Sequence, residues 1–196
     1  MRAVSSEFSR TVALACHASS IAGGVHDLQV HVGQAHIGTA RSGMLDLRYL
    51  LTADMSRVRV ATRVTPRRAD ELWTHTCFEA FVKWSAAVAY VEVNLAPSTE
   101  WAIYSFQGYR EGMTPVETIP PPRIEVRTDT ERFELEATID LSALRPPPRD
   151  SASNTRVQLA LAAVIEDENG RLSYWALGHP QGKPDFHHPD SFTLEL

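Results

Sequence analysis

Residues 132–139 of the sequence, RFELEATI, alternate strictly between polar and apolar side chains. Successive side chains of a β-strand point to opposite faces of the sheet. The pattern therefore places four apolar side chains on one face: Phe133, Leu135, Ala137 and Ile139. The polar positions between them would face water. This is the pattern of a half-buried antiparallel strand, and a helix could not sort these residues in the same way.

Similar period-two segments occur along most of the chain, and helical periodicity is nearly absent. The dipeptide Asn169-Gly170 predicts a tight hairpin turn, because both residues tolerate positive φ angles. Many short strands separated by turn residues indicate an all-β antiparallel sandwich or barrel. The other predicted strands are residues 11–16, 28–32, 45–51, 58–64, 77–84, 90–95, 101–106, 124–128, 157–165, 172–177 and 192–196.

The length of 196 residues suits one large β domain as well as two small ones. Two proline triplets, at residues 120–122 and 146–148, cannot donate hydrogen bonds to a sheet and predict exposed connections. Neither separates parts of different composition. We therefore expect a single domain over residues 1–196, with a single helical turn near residues 140–144.

Charge and cysteine content narrow the partners and the compartment. The net charge of −5 and the pI of about 5.9 argue against a nucleic-acid partner, and no apolar stretch is long enough to span a membrane. The apolar run at residues 11–16 is shorter than the core of a signal peptide and is better explained as a first strand. Two cysteines, Cys16 and Cys77, favour a reduced, cytoplasmic protein. The oligomeric state is left open.

The segments Cys77–Trp84, Tyr90–Leu95 and Trp101–Phe106 predict a three-stranded meander with two different faces. One face is apolar and suits the core. The other combines acidic, amide and aromatic side chains: Glu79, Phe81, Lys83, Tyr90, Glu92, Asn94, Tyr104 and Phe106. A register slip of one residue in the third strand would replace Tyr104 by Trp101 and Ile103 on this face.

Such a face suits a ligand with hydroxyl groups and a flat apolar side. Carboxylates and amides form directional hydrogen bonds, and aromatic rings cover C–H surfaces. The alternative is an ordinary solvated sheet face, since antiparallel sheets often have one. Phe81, Tyr104 and Phe106 on a purely solvated face would be unusual, which favours binding.

The same residues resemble a known superfamily. Residues 72–82 (LWTHTCFEAFV) and 90–94 (YVEVN) resemble the strand pair of the family-9 carbohydrate-binding-module-like and DOMON domains. Residues 97–104 (PSTEWAIY), 106–113 (FQGYREGM), 173–180 (SYWALGHP) and 183–188 (KPDFHH) are similar to a bacterial DOMON-like family of uncharacterised proteins. The resemblance implies a jelly-roll-like sandwich with a ligand pocket on one sheet, and a sugar or haem as ligand. The resemblance suggests four residues as aromatic platforms on which a sugar ring could pack: Trp73, Trp101, Tyr104 and Trp175.

The sequence therefore predicts a non-catalytic domain that binds a carbohydrate or a related polar metabolite. The expected pocket face carries Glu79, Phe81, Glu92, Asn94 and Tyr104. The walls or rim of the pocket are expected to include Trp73, Trp101, Tyr109, Arg110, Trp175 and His179. Arg110 suits a ligand anion at the rim, or a surface ion pair with Glu111 or Glu117.

Three alternatives are kept open. The first is a hydrolase that uses Glu79 and Glu92 as a carboxylate pair. The second is a divalent-metal site on the C-terminal loop, formed by His179, Asp185 and His187, although their spacing matches no established zinc motif. The third is a haem protein, with a methionine and a histidine as axial ligands. No cofactor is expected, and no nucleophile elbow or phosphate-binding glycine loop occurs.

Overall fold

The computed structural model describes residues 8–33, 43–84, 87–144 and 156–196. This part of the chain contains thirteen β-strands, four short 3₁₀ turns and no α-helix. The strands are β1 (Phe8–Ala13), β2 (Ala15–Cys16), β3 (Val25–Gly33), β4 (Met44–Ala53), β5 (Cys77–Trp84), β6 (Tyr90–Leu95), β7 (Trp101–Phe106), β8 (Thr114–Pro115), β9 (Arg123–Thr128), β10 (Arg132–Asp140), β11 (Val157–Glu166), β12 (Leu172–Ala176) and β13 (Leu194–Glu195).

The strands form two antiparallel sheets. The five-stranded sheet has the order β1-β3-β4-β10-β9. The eight-stranded sheet has the order β2-β12-β11-β5-β6-β7-β8, and β13 also pairs with β11. The predicted all-β antiparallel sandwich is confirmed.

One apolar core lies between the two sheets, and strand alternation builds it. The four apolar side chains predicted on one face of β10 are all buried in this core. Phe133 of β10 stacks on Phe78 of β5 with ring centroids 5.4 Å apart, which joins one sheet to the other. Tyr49 of β4 packs on the same Phe78 ring at 5.1 Å. Each buried side chain of this size contributes about 1.5–3 kcal/mol to folding.

Several local predictions are corrected. Residues 58–64 do not form a strand: Val58 makes an isolated bridge to Asp167, and the following residues are held by single bonds such as Val64 N to Ser98 O at 2.9 Å. The alternating valines predict a strand, but no neighbouring strand forms continuous backbone hydrogen bonds with these residues. The first strand divides at Leu14 into β1 and β2, and the last one shortens to β13. The predicted helical turn is a 3₁₀ turn at Ser142–Leu144.

The predicted Asn-Gly segment joins β11 to β12, and Gly170 adopts a φ of +80° there. Asn169 does not have a positive φ, and the connection spans residues 167–171 rather than the predicted tight turn. Residues 120–122 lie between strands, as expected, but Pro122 is buried while Pro120 and Pro121 are exposed. Residues 146–148 lie outside the described part of the chain. In the described residues, no helix has the length and apolar character needed to cross a bilayer.

The outer face of the eight-stranded sheet is also largely buried. A second apolar cluster covers it, separate from the core between the sheets. Two segments supply the cover: the 3₁₀ turn Leu72–Thr74 and the C-terminal segment at residues 178–192. Between this cover and the sheet lies the candidate site.

Candidate functional site

The register of β5, β6 and β7 sets the polar floor of the site. Glu79 lies opposite Asn94, Phe81 opposite Glu92, and Glu92 opposite Tyr104. Because side chains alternate along each strand, all five lie on the outer face of the eight-stranded sheet. The predicted register is confirmed, with Tyr104 and not Trp101 on this face.

A cavity of about 500 Å³ lies above this floor. Small outward residues of β11 leave room beside it, namely Ala160, Ala162 and Val164. The lining residues come from the sheet, from both covering segments and from the connection after β7: Trp73, Thr74, Glu79, Glu92, Phe106, Arg110, Met113, Val164, Leu172, Tyr174, Pro184, Phe186 and His187.

Two buried glutamates lie on the floor of the cavity. Glu79 is 3% exposed and Glu92 is 4% exposed. Burial, together with the nearby Glu92 carboxylate, raises the pKa of Glu79 well above its ordinary value of 4.5. Burial also raises the pKa of Glu92, while a hydrogen bond from Asn94 opposes the rise. Glu79 Oε1 is buried and has no hydrogen-bond partner in the described structure. Glu79 also lines the cavity, so its carboxyl group is a polar group that a ligand there can contact.

Asn94 fixes one of the two carboxylates. Its amide Nδ2 donates to Glu92 Oε1 at 2.7 Å, and its Oδ1 accepts a weak bond from the Cys77 thiol at 3.6 Å. Asn94 is fully buried. Because these contacts hold Glu92 in one orientation, Asn94 is a positioning residue for the floor rather than a direct part of the cavity wall.

His187 connects the C-terminal segment to the floor. Its Nδ1 lies 2.7 Å from the Tyr90 hydroxyl, and its Nε2 lies 3.7 Å from Glu92 Oε2. Burial, with help from the charge of Arg110, lowers the pKa of His187 to about 4. The imidazole is therefore neutral at pH 7. Because the Tyr90 hydroxyl also accepts from the backbone N–H of Arg110 at 3.2 Å, it can donate to Nδ1, which leaves the ring proton on Nε2.

The rim is closed by an ion pair between distant parts of the chain. Arg110 Nη2 lies 2.8 Å from Asp185 Oδ1, and the Tyr109 hydroxyl donates to the other oxygen of Asp185. The backbone N–H of His187 also donates to Asp185 at 3.1 Å. Arg110 thus pairs with Asp185 rather than with Glu111 or Glu117, because the C-terminal segment folds back over the sheet.

The aromatic wall consists of Trp73 packed edge-on against Tyr104, with ring centroids 5.8 Å apart. The Tyr104 hydroxyl donates to Asp70 Oδ1 at 2.5 Å, and Arg68 binds the same carboxylate at 2.7 Å. These bonds fix Tyr104 behind Trp73, and only the Trp73 ring of this pair lines the cavity. Phe81 lies under the floor, where its ring contacts the His187 ring at 5.0 Å.

Four predicted wall or rim residues do not line the cavity. Tyr109 lies outside it and bonds to Asp185. Trp101 and Trp175 point into the core between the sheets, because each occupies the inward phase of its strand. His179 lies elsewhere: its Nε2 contacts the carbonyl oxygen of Ala15 at 2.8 Å, and its ring packs edge-on against His17.

The predicted metal ligands have separate partners. His179 contacts Ala15, Asp185 binds Arg110, and His187 contacts Tyr90. Within the described residues, no group of three or more histidine, cysteine, aspartate or glutamate side chains has the spacing to hold a metal ion.

Haem, which the family resemblance implies as a ligand, would need an axial ligand from the residues that line this cavity. His187 is the histidine among the described lining residues, and its two nitrogens already face the Tyr90 hydroxyl and the Glu92 carboxylate. Axial ligation of iron would require one of these nitrogens to be free. In this arrangement His187 is therefore not a free axial ligand, and Met113 is another lining residue of a type that ligates haem iron.

The sequence did not identify several lining residues. Leu172 and Tyr174 of β12 share the outward phase of their strand, so period-two alternation could have placed them on this face. Phe186 and Pro184 lie in a loop, and no local pattern indicates that the loop returns over the sheet. The adjacent His187 is predicted from the sequence only as a metal ligand.

The fold and the site define an all-β sandwich with an acidic and aromatic cavity on one sheet. No family model matches the sequence, and the curated proteins contain no significant match. A protein from Bacteroides uniformis ATCC 8492, provisionally described as carbohydrate-binding, superposes with a TM-score of 0.63 at 13% identity, over 93% of this chain and 84% of its own. This likeness confirms the fold.

Two solved structures of a family-9 carbohydrate-binding module from Caldicellulosiruptor kristjanssonii are more distant. The complex with glucose has a TM-score of 0.47 at 12% identity and covers 80% of this chain and 69% of the module. The complex with cellotriose has a TM-score of 0.49 at 12% identity and covers 88% and 74%. With TM-scores below 0.5, these two likenesses carry no weight for the site or its ligand.

Proposed function

We propose that the cavity binds a carbohydrate or a related polyhydroxylated metabolite without catalysing a reaction on it. The observation that carries this proposal is Glu79, a buried side chain that faces a cavity of about 500 Å³ with one oxygen unpartnered. An unpartnered buried acceptor costs about 1–3 kcal/mol. A ligand hydroxyl that donates to it would remove this cost.

The rest of the cavity supports the same class of ligand. Glu92 is oriented by Asn94 and adds a second carboxylate, while Trp73 and Tyr174 add aromatic surface. Sugars need both features, because hydroxyl groups ring a flat C–H surface that packs on aromatic rings. The volume also falls within the range of about 300–1,000 Å³ that small-molecule sites occupy.

Two similarities add support. The Bacteroides uniformis protein that shares the fold is provisionally described as carbohydrate-binding. The motifs that resemble DOMON-like and family-9-like domains include the two strands that carry Glu79, Glu92 and Asn94.

The experiment is a thermal-shift screen followed by calorimetric titration. The screen uses neutral hexoses, pentoses and disaccharides, with their amino, N-acetyl and phosphate derivatives. A ligand at one hundred times its Kd stabilises the folded state by about 2.7 kcal/mol, which is a shift in Tm of roughly 5–10 °C for a domain of this size.

The variants are Glu79→Gln, Trp73→Ala and, as a matched control, Glu131→Gln. Glu131 is an exposed glutamate in the turn between β9 and β10, on the other sheet. We expect the first two variants to weaken binding and the control to bind like the wild type. Equal affinity in all four proteins would refute this cavity as the site, and no binding by any sugar would refute the function.

A second candidate is a glycoside hydrolase, and one observation favours it. The two glutamates share one cavity, and the same burial raises the pKa of both, as a proton-donating acid requires. Turnover of nitrophenyl glycosides by the wild type, lost in both Glu79→Gln and Glu92→Gln, would support this candidate. Binding without turnover supports the proposal.

A further inference from the structure

The two glutamates, here called the acidic floor, form no direct ion pair with an arginine or lysine within the described residues. Glu79 and Glu92 lie on neighbouring strands and are both more than nine-tenths buried. Asn94 bonds to one oxygen of Glu92, whereas Glu79 Oε1 has no partner in the described part of the chain. Buried carboxylates in proteins are normally paired with a cation or a metal ion, because an isolated buried charge is costly.

The cationic side chains near the floor already interact with other groups. Arg110, the one arginine or lysine among the described lining residues, forms its ion pair with Asp185 at 2.8 Å. Lys83 lies on the same sheet face, and its ammonium group sits over the Phe192 ring at 5.5 Å. His187 faces Glu92 at 3.7 Å, but burial keeps this imidazole neutral at pH 7. The charge of Arg110 partly opposes the rise in the pKa of both glutamates, but its direct ion pair is with Asp185. None of these side chains is therefore a direct cationic partner of the floor at pH 7.

The walls of the cavity suit an organic cation rather than a bare metal ion. Four aromatic rings line it, from Trp73, Phe106, Tyr174 and Phe186. Aromatic faces attract ammonium groups and also cover the carbon skeleton that carries them. A metal ion would need at least three ligands, and the described residues contain no such group of acidic, histidine or cysteine side chains.

We propose that the ligand of this cavity is an amino sugar whose protonated amine binds between Glu79 and Glu92. This inference rests on the proposed function, since the sugar ring is taken from it. An ammonium group donates three hydrogen bonds and accepts none, whereas ionised carboxylates only accept, so the two are complementary. The amine donates to the Glu79 carboxylate and to Glu92 Oε2, while Asn94 keeps its hydrogen bond to Glu92 Oε1.

Binding of a cation should release protons from the floor. In the free protein, burial raises the pKa of both glutamates, and a bound ammonium group favours their ionised forms. Affinity should therefore rise with pH by up to about tenfold per pH unit for each proton released. Other titratable or charged groups act on the floor from the elements around it, namely Cys77 of β5, Tyr49 of β4, Tyr90 of β6, Tyr104 of β7, Arg110 after β7, and Asp185 and His187 of the C-terminal segment.

The experiment compares matched sugars by calorimetry. Glucosamine, galactosamine and mannosamine are each titrated beside the parent hexose and the N-acetyl derivative, which keeps the ring but removes the charge. The titrations are made in phosphate and in MOPS, because the difference in heat between two buffers counts the protons released. Tris is avoided because it is itself an amine.

We expect at least one hexosamine to bind about tenfold or more tightly than its parent hexose and its N-acetyl derivative, with release of protons. In Glu79→Gln, the ratio of the hexosamine affinity to the affinity of the parent hexose should fall towards one. In Glu131→Gln, this ratio should stay at its wild-type value. Thermal melts confirm that each variant is folded, and Glu92→Gln serves as a second variant.

Three results would overturn the inference. Equal binding of hexose and hexosamine without proton release would refute the amine while leaving the proposed function intact. Calcium binding alone, with proton release and displacement of the hexosamine, would assign the floor to a metal ion. If none of the nine sugars binds, the inference of an amino-sugar ligand is refuted. If no sugar of the wider panel binds either, the proposed function is refuted as well.

Discussion

Replacement of Glu79 by glutamine should stabilise the free protein, and the gain should increase with pH. Burial and the neighbouring Glu92 raise the pKa of Glu79 well above 4.5. The folded protein therefore keeps a proton that the unfolded chain begins to lose near pH 4.5. The contribution of Glu79 to stability is complete below that pH, and it is lost as the pH rises through the folded-state pKa. Glutamine has nearly the same shape and cannot ionise.

The magnitude follows from the retained proton. One proton bound by the folded state and not by the unfolded state changes the free energy of unfolding by about 1.4 kcal/mol per pH unit. The difference between Glu79→Gln and the wild type should grow at this rate above pH 4.5, and it should level off above the folded-state pKa. For a domain of this size it corresponds to roughly 3–5 °C in Tm per pH unit.

The assay is urea denaturation of both proteins from about pH 5 to about pH 8. The difference between the two curves is the diagnostic quantity, because His187 acts in the opposite direction. Burial lowers the pKa of His187 from 6.5 to about 4, so its contribution is complete above pH 6.5 and is lost as the pH falls towards 4. The control Glu131→Gln should follow the wild type. Parallel curves for Glu79→Gln and the wild type would refute the retained proton.

Three further predictions concern the cavity and the core. In the wild type, His187 should cause a loss of roughly 3 kcal/mol in the free energy of unfolding as the pH falls from 6.5 to about 4. His187→Phe should lack this loss, as measured by its urea denaturation midpoints. Phe78→Ala should destabilise the protein by about 3–5 kcal/mol in the same assay, because its fully buried ring stacks on Phe133 between the sheets. Trp73→Ala should cost only about 1 kcal/mol of stability, because Trp73 is partly exposed, yet it should weaken sugar binding about tenfold by calorimetry.

Strand alternation explains why so much of the fold could be predicted. In β5 and β6, every second residue is apolar and faces the core, so the face shared by Glu79, Glu92 and Asn94 could be predicted from the sequence alone. The third strand was open to a slip of one residue. The pairing of β7 with β6 fixes the register, with Tyr104 on the outer face of the sheet and Trp101 on the face towards the core.

The parts that were not predicted depend on contacts between distant segments. Asp185 and His187 meet Arg110 and Tyr90 only because the C-terminal segment returns over the eight-stranded sheet. The sequence of a loop has no periodicity from which such a fold-back over the sheet could be predicted. Trp175 was expected at the wall because aromatic residues suit sugar sites, but its inward phase on β12 places it in the core between the sheets.

The central claim, that this cavity binds a sugar, is tested most directly by tryptophan fluorescence. Of the four tryptophans, Trp73 lines the cavity, while Trp84, Trp101 and Trp175 are buried in the core between the sheets. The tightest-binding sugar from calorimetry is titrated into the wild type and into Trp73→Phe. A saturable change in the wild type that disappears in Trp73→Phe, while calorimetry still detects binding, is the predicted result. An unchanged fluorescence response in Trp73→Phe would contradict the claim, because the sugar would then bind elsewhere.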